Sequence, residues 1–541
     1  MKEKYDVIIA GSGISASSTG SILAKNGLNV LMIEAKKHPR FAIGEALLPQ
    51  SSMWMWIVGE YFGIPEIQYL SDVDKVIDEI TPSCGIKHSV GFAYHENGEK
   101  FKGGNGHQLI PPHLPFYSES HLLREDIDYF LVKTAINYGV DYVDETQIND
   151  VDIREEQVTV STTRGDVTSE FFIDATGRKS ILAEKMGYRK NAKEPMTNSR
   201  SIFTHVEGVA PFDELIPDED RPHQSKRFHD GTLHHVFDGG WMWVIPFDNF
   251  ERSKAKKASI GLMLDNEKFP VDDNLSAEEE FFKIISAFPD VERHMKPVKP
   301  IMKWINTGRI QYNSSKSAGL RHYTTNHTYG FVDPLYSNGL INTFESIFLS
   351  TQLLLKAFEK GDFSGDQFLG IDELHHRQYM QSDMMVSNAY KAMKNFKTWN
   401  AWTQLWLAQI LFHDLYIQRH CFKYFASGDK AEFDLLRTET RPGDHAPFVE
   451  DKERMFNNAA KALDAFVGGD MSAEEAEEII LNEMKQAEWL PKHVYDWGNA
   501  QSRHVDFYNP ELVAKLIEWG KNGSPRHIRE QLFDFDIPEM A

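Results

Sequence analysis

Two runs in this chain have residue types and spacings suited to chemistry: Gly11-Ser12-Gly13-Ile14-Ser15-Ala16 near the start, and Trp241-Met242-Trp243-Val244-Ile245-Pro246 in the middle. In the first, Gly11 permits a tight turn, Gly13 lets backbone amides approach a pyrophosphate, and Ala16 is small enough for a helix to pack on a strand. The flanks agree with a dinucleotide site. Residues 5–10 are largely apolar, as a buried parallel strand would be. Residues 15–26 predict a helix whose N-terminus faces the phosphates. Residues 29–33 predict a second strand, and it ends in Glu34, a carboxylate placed to accept from ribose hydroxyls. In the second run, Trp241 and Trp243 stand at i and i+2 and point to one face of a strand. That face is either core packing or a wall between two chambers.

The cofactor is expected to be FAD rather than NAD. The run Phe171-Phe172-Ile173-Asp174-Ala175-Thr176-Gly177-Arg178 resembles the late A-T-G motif of the glutathione-reductase-type FAD fold. Leu123-Arg124-Glu125-Asp126-Ile127-Asp128 resembles the R-x-x-x-D helix start of flavin monooxygenases with that fold. These resemblances imply that Asp174, Gly177 and Arg124 serve the cofactor. For Arg124 the alternative is a surface charge in the first turn of a helix.

The tryptophan run resembles the W-x-W-x-I-P signature of flavin-dependent halogenases. Two more segments extend the resemblance. Ile43-Gly44-Glu45-Ala46-Leu47-Leu48-Pro49 is similar to the strap of that family that runs between flavin and substrate. Phe331-Val332-Asp333-Pro334-Leu335-Tyr336-Ser337-Asn338-Gly339-Leu340 is similar to its F-x-D/E-P-x-x-S-x-G segment. The resemblance implies that FADH2, O2 and chloride or bromide are used to halogenate an electron-rich ring through hypohalous acid. It places Gly44 and Asp333 at the cofactor and Ser337, Asn338 and Gly339 at the halide, with Trp241 and Trp243 as the partition. The amides of Asn338 and Gly339 are the halide donors, in keeping with the small nests of N–H dipoles that hold anions.

The family also needs a lysine between flavin and substrate. Lys87, in the apolar, glycine-bounded run 85–92, is the candidate, with Lys102 and Lys75 as fallbacks. Read as one strand, this run puts Lys87 on a face with Ser89 and Gly91. Burial would lower its pKa.

Two positions depart from the family. Tyr336 stands where tryptophan halogenases carry a glutamate, which favours a phenolic or pyrrolic substrate over free tryptophan. His88, His95, His107, His113 and Tyr336 are the bases on offer. Asn326-His327 replaces a Gly-Asp whose aspartate binds the flavin ribityl chain. Two other readings of the chain stand beside the halogenase. One is an aromatic hydroxylase, sharing the fold but lacking the halide site. The other is a flavin-binding protein without turnover, such as a member of a biosynthetic complex.

Composition sets the rest. The 541 residues carry a formal net charge of −22, which disfavours nucleic acid as a partner. Cys84 and Cys421 make neither a metal site nor a disulfide framework, so no metal is expected and a reducing cytoplasm is the natural setting. The start leaves no room for a signal peptide, and no apolar run reaches the length of a membrane span. The expected fold class is α/β: a glutathione-reductase-type FAD-binding domain with an inserted β-rich substrate domain and a helical C-terminal region. The FAD domain comprises residues 1–80, 121–190 and 325–360, the substrate domain 81–120 and 195–324, and the cap 370–541. Trp399, Trp402, Trp406, Phe412 and Phe422 recur at helical spacing in the cap, as core or as pocket lining. Ser472 predicts a helix N-cap. Expected partners are a separate flavin reductase, because no second nucleotide motif is visible, and an aromatic small molecule, free or carrier-bound.

Overall fold

The computed structural model describes residues 2–111, 119–190, 195–217, 224–441, 443–444 and 449–536. The first sheet runs Ala318–Gly319, His322–Thr324, Gly165–Asp174, Lys4–Ala10, Val30–Ile33, Asp141–Val143. Its centre is parallel: Ala10 is level with Asp174 on one side and with Ile33 on the other. Strands of this kind are covered on both faces, which is why residues 7–10 and 30–33 read as unbroken apolar runs. Val7 and Ile9 pack under the helix Ile14–Lys25, on the side of Ala16 and Leu23. Ile8 and Ala10 pack on the opposite side, against Val158 and Val160 of the hairpin Ile148–Ile153/Val158–Thr162. This is the glutathione-reductase-type FAD-binding architecture.

The second sheet has nine strands. Ser199–Glu207, Ala258–Asp265, Gly240–Pro246, Thr232–Phe237, Val90–Tyr94, Gly106–Ile110 and His504–Asp506 follow one another, and short strands Lys299–Pro300 and Ile305–Asn306 flank Ser199–Glu207. Alternation along Gly240–Pro246 sorts its residues into two cores. Met242 and Val244 join Phe281, Ile285 and Val291 of the helices beneath. Trp241, Trp243 and Ile245 face the other way, into the core shared with the strap and the C-terminal helices. The Trp243 ring lies over Gly261, its partner on the next strand, where a Cβ would meet the indole at 2.3 Å.

The C-terminal region is helical over Leu369–Ala392, Phe396–Ser427, Val449–Gly468 and Ala473–Gln486. Ser472 caps the last of these in a box with Glu475. Among its described residues the one strand is His504–Asp506, which pairs in parallel with Gly106–Ile110. Three residues with a single apolar side chain, Val505, carry too little period-2 pattern to reveal a strand. No helix among the described residues is long and apolar enough to cross a membrane.

Gly11 is where the FAD domain tolerates least. Its φ is +99° and a Cβ there would meet the Ala175 carbonyl oxygen at 2.6 Å. Gly11→Ala is expected to destabilise the fold by about 1–3 kcal/mol and to lower the FAD content of the purified protein, read by thermal denaturation and flavin absorbance. Unchanged values in both would show that the turn yields without loss.

Candidate active site

The glycine turn, the strap, the tryptophans and the 337–339 turn all open on one cavity of about 550 Å³. Gly13 caps the helix Ile14–Lys25 at one wall. The first amides of such a helix have no partner within it and attract an anion. Glu34 ends the neighbouring strand, where its carboxylate accepts from Ser12 Oγ at 2.8 Å and from the Lys36 amide at 2.9 Å. Arg124 lines the cavity and is no free surface charge. Its guanidinium binds Asp128 at 2.9 and 3.2 Å and donates to the carbonyls of Ile43 and Gly44 at 2.7 and 3.1 Å. The strap is thereby clamped to the helix Arg124–Asn137. The amides at the helix end suit a dinucleotide phosphate, whereas Glu34 does not line the cavity and its carboxylate already accepts from Ser12, Lys36 and Arg40.

Ala16 is buried against the first sheet and Gly177 lies on the cavity wall. Asp174 does not line the cavity. Its carboxylate accepts from Thr176, Ser180 Oγ and the Leu182 amide, so it builds the turn that presents Ala175 and Gly177. Asp333 does line the cavity, and it accepts from Ser199 Oγ at 2.6 Å, Tyr390 OH at 3.1 Å and the Leu335 amide at 3.0 Å. Burial pushes its carboxyl up to about 6.

The turn over residues 336–339 has an unusual backbone. Tyr336 and Ser337 are both left-handed, with φ of +71° and +53°, a conformation that stores about 1–3 kcal/mol per non-glycine residue. The helix Gly339–Lys360 starts directly after it, and the bond from the Asn342 amide to the Asn338 carbonyl closes its first turn. Amides before that bond form a donor cluster at a helix N-terminus, and Ser337, Asn338 and Gly339 line the cavity. His327 approaches this turn: its Nε2 would lie 3.4 Å from a Cβ at Gly339, and its Nδ1 is 3.2 Å from Thr343 Oγ1. Asn326 instead turns away, donating to Gln378 Oε1 at 2.6 Å.

Trp241 and Trp243 share a face as predicted, with ring centroids 5.9 Å apart, and both line the cavity. Lys87 lies off this cavity, fully buried. The strand expected over 85–92 is broken at it: Gly85–Ile86 pairs with Ser120–His121, and a new strand starts at Val90. At the break, the Lys87 amide bonds the Glu119 carbonyl, and the His88 amide bonds the Asp230 carbonyl. Freed from the alternation, the Lys87 side chain donates to the Leu47 carbonyl of the strap. Burial lowers its ammonium to about 8, against an opposing pull from the Glu119 carboxyl. The fallbacks are elsewhere: Lys75 is exposed, and Lys102 pairs with Glu96 and Glu99 at the surface.

Of the bases on offer, His95 is tied into a chain with His235 and His294, and His107 is bonded to Asn400. Tyr336 stacks on Trp406 with centroids 4.7 Å apart. Burial lowers His88, and His113 lies outside the described residues. The five cap aromatics are buried, and among them Trp406 also meets Phe92 edge-on. Sequence reasoning missed Glu119, His121, His234 and Asp414. His234 stacks on Phe92, while His121 bonds Thr232 Oγ1 and the Pro246 carbonyl. No spacing marks these four, because they are brought together from three separate segments: 119–121, Thr232–Phe237 and Phe396–Ser427.

Fold and cavity together define a flavin-binding oxidoreductase. The sequence profile described as Tryptophan halogenase matches residues 116–481. Monodechloroaminopyrrolnitrin halogenase PrnC of Pseudomonas fluorescens is 35% identical over 98% of this chain and 94% of its own. Tetracycline 7-halogenase of Kitasatospora aureofaciens is 31% identical over 98% and 95%. The crystal structure of halogenase PltM in complex with phloroglucinol and FAD is 31% identical, superposes with a TM-score of 0.87, and covers 93% of this chain and 99% of that one. The chain therefore belongs to the tryptophan halogenase family of flavin-dependent halogenases.

Buried titratable groups make stability depend on pH from both sides. Burial holds His95, His107, His121, His234 and His375 near 3 and His327 near 4. The unfolded chain takes up those protons below about 6.5, so stability falls as pH drops from there, by up to about 1.4 kcal/mol per histidine per unit. Burial acts oppositely on acids, raising Asp333 to about 6, Glu345 to about 7 and Glu119 to about 8. They keep protons that the unfolded chain loses near 4, so they lower stability as pH rises. Below pH 6.5 the buried histidines, His235 and His294 among them, outweigh the buried acids, which include Asp414, and above it the acids dominate. Urea unfolding is expected to show greatest stability near pH 6.5, with a steeper loss toward pH 4.5 than toward pH 8. A monotonic profile would contradict this burial pattern.

Proposed function

We propose that this enzyme halogenates an electron-rich aromatic ring, phenolic or pyrrolic in type, and that Lys87 directs the halogen. When bound, reduced FAD supplies, with O2 and halide, hypohalous acid as the electrophilic oxidant. The carrying observation is that Lys87 is fully buried and held by the strap, whose neighbouring residues Gly44 to Ala46 line the flavin cavity.

In this reading the Asn338 and Gly339 amides hold the halide at the end of a helix dipole. That is firm enough for a single anion, yet weaker than a full positive charge. Trp241 and Trp243 separate flavin from substrate, so oxygen is not passed directly to the ring. Only a small oxidant crosses, and the Lys87 ammonium meets it beyond the strap. Held near 8, that group is mostly protonated at neutral pH and donates to the oxidant oxygen. Its neutral fraction is a nucleophile that accepts the halogen.

Tyr336 in place of a glutamate supports a ring activated by its own hydroxyl or N–H. So do the relatives matched over nearly their full length, whose names give aminopyrrolnitrin-type and tetracycline substrates, and the phloroglucinol complex. The relatives named for carrier-bound pyrroles align over about two thirds of the chain at 21–22% identity, so a free substrate is the better fit. The single G-x-G-x-x-A run serves one dinucleotide, which leaves flavin reduction to a separate reductase.

The test is turnover with FAD, a flavin reductase, NADH and bromide or chloride, on a panel of phenols, pyrroles and indoles read by mass spectrometry. Lys87→Ala is expected to lower ring halogenation by about 10²-fold or more while keeping FAD binding and hypohalite release to a thiol trap. Oxygen addition without halogen would make the enzyme a hydroxylase. Equal halogenation by Lys87→Ala would remove Lys87 from the mechanism.

A further inference from the structure

Beyond Lys87 the interior holds two acids that the reaction as described does not use. Asp414 is 1% exposed and Glu119 is 6% exposed. Neither Asp414 oxygen has a hydrogen-bond partner, nor does Glu119 Oε2. A buried polar group left unpaired costs about 1–3 kcal/mol, more when charged, and folded proteins retain few of them.

Several contacts place these atoms together. The strap and the 119–122 segment are joined by an Ala46–His121 bridge and by the bond from the Leu122 amide to the Glu45 carbonyl. Glu119 is also the backbone partner of Lys87, and its charge acts on both Lys87 and Asp414. The long helix Phe396–Ser427 approaches from the other side. Trp402, Trp406, Ile410 and Asp414 recur every four residues and share one face. Trp406 lies on Tyr336 of the halide turn, and the Ile410 carbonyl accepts from Gln50 Nε2 at 3.3 Å, just past the strap. Gln50 Oε1 is buried and unpartnered too. Four side-chain oxygens of Glu119, Asp414 and Gln50 are thus buried without a hydrogen-bond partner near strap, Lys87 and this helix face. Of the donors there, Lys87 gives one N–H to the Leu47 carbonyl, and His121 is bonded to Thr232 and Pro246.

We propose that Glu119 and Asp414 are the acceptor pair of the substrate site, and that they select an aromatic ring carrying at least two hydrogen-bond donors, hydroxyl or amino groups. The ring stacks among the aromatics and its donors satisfy the orphaned oxygens. This holds it in one orientation with an activated carbon toward Lys87. The proposal rests on Lys87 as the halogen-directing group, and it names the substrate class for that site.

The experiment separates the two readings. Binding of resorcinol and of its donor-free analogue 1,3-dimethoxybenzene to the FAD-loaded enzyme is measured by calorimetry, without turnover. Hypohalite release to a thiol trap is measured in parallel with reductase, NADH and bromide. Resorcinol is expected to bind at least about tenfold tighter than the dimethyl ether. Glu119→Leu and Asp414→Leu should each lose about tenfold in resorcinol affinity and raise its KM more than they lower kcat, with FAD content and hypohalite release unchanged. Their thermal midpoints should hold or rise, because a buried acid has been removed; that alone is what a silent structural acid would also give. Equal binding of the two rings, binding of neither, or unchanged affinity in both variants would overturn the acceptor pair. Absence of hypohalite from the wild-type enzyme would instead refute the halogenase reading.

Discussion

In the proposed reading, the chemistry depends on keeping one ammonium, Lys87, in the protein interior. Taking a charge out of water carries a penalty of several kcal/mol, and here the nearest relief is a single backbone carbonyl, Leu47, with an acid close by. The surrounding structure follows from that constraint. The strap has to present its carbonyl inward, so it is clamped by Arg124 on its outer side and bridged to residues 121 and 122 on its inner side. The strand bearing Lys87 has to break, because a regular pleat would send the side chain to the wrong face. A lysine held this way is poised between donor and nucleophile, which a solvated one is not.

What was legible in the sequence is what local backbone chemistry dictates. The G-x-G-x-x-A turn, its flanking strands, the helix and Glu34 form a contiguous unit whose geometry follows from glycine and from apolar patterning. The shared face of Trp241 and Trp243 follows equally from the pleat. Lys87 was legible as a residue but not in its setting, since the broken strand is imposed by Glu119 and Asp230, distant in the chain. Asp174 shows the opposite failure. Its motif marks a cofactor segment, yet its carboxylate shapes the turn rather than facing the cavity. Glu119 and Asp414 were invisible because nothing local distinguishes them. Lys87, Glu119 and Asp414 come from three segments whose meeting is decided by packing of the long C-terminal helix against the strap.

The two faces of the second sheet are packed differently. The face bearing Met242 and Val244 packs on the helices beneath and buries the His95–His235–His294 chain and the Arg200–Glu280 pair. The other face carries Trp241, Trp243 and Ile245 toward strap and cap. In the proposed reading the flavin side and the substrate side therefore share one rigid wall. Movement of either tryptophan is opposed by close contacts, such as the Trp243 ring on Gly261 and its indole bond to Ser259 Oγ at 3.1 Å.

The short strand His504–Asp506 has a consequence for how the molecule is made. It covers the edge of the sheet at Gly106–Ile110, nearly 400 residues earlier in the chain. During synthesis, that edge emerges early and stays without its native neighbour until residues past 506 have left the ribosome. An uncovered sheet edge is a template for pairing with other chains, and contacts of such long sequence separation form slowly. Until the cap arrives, that edge is open to pairing with other chains.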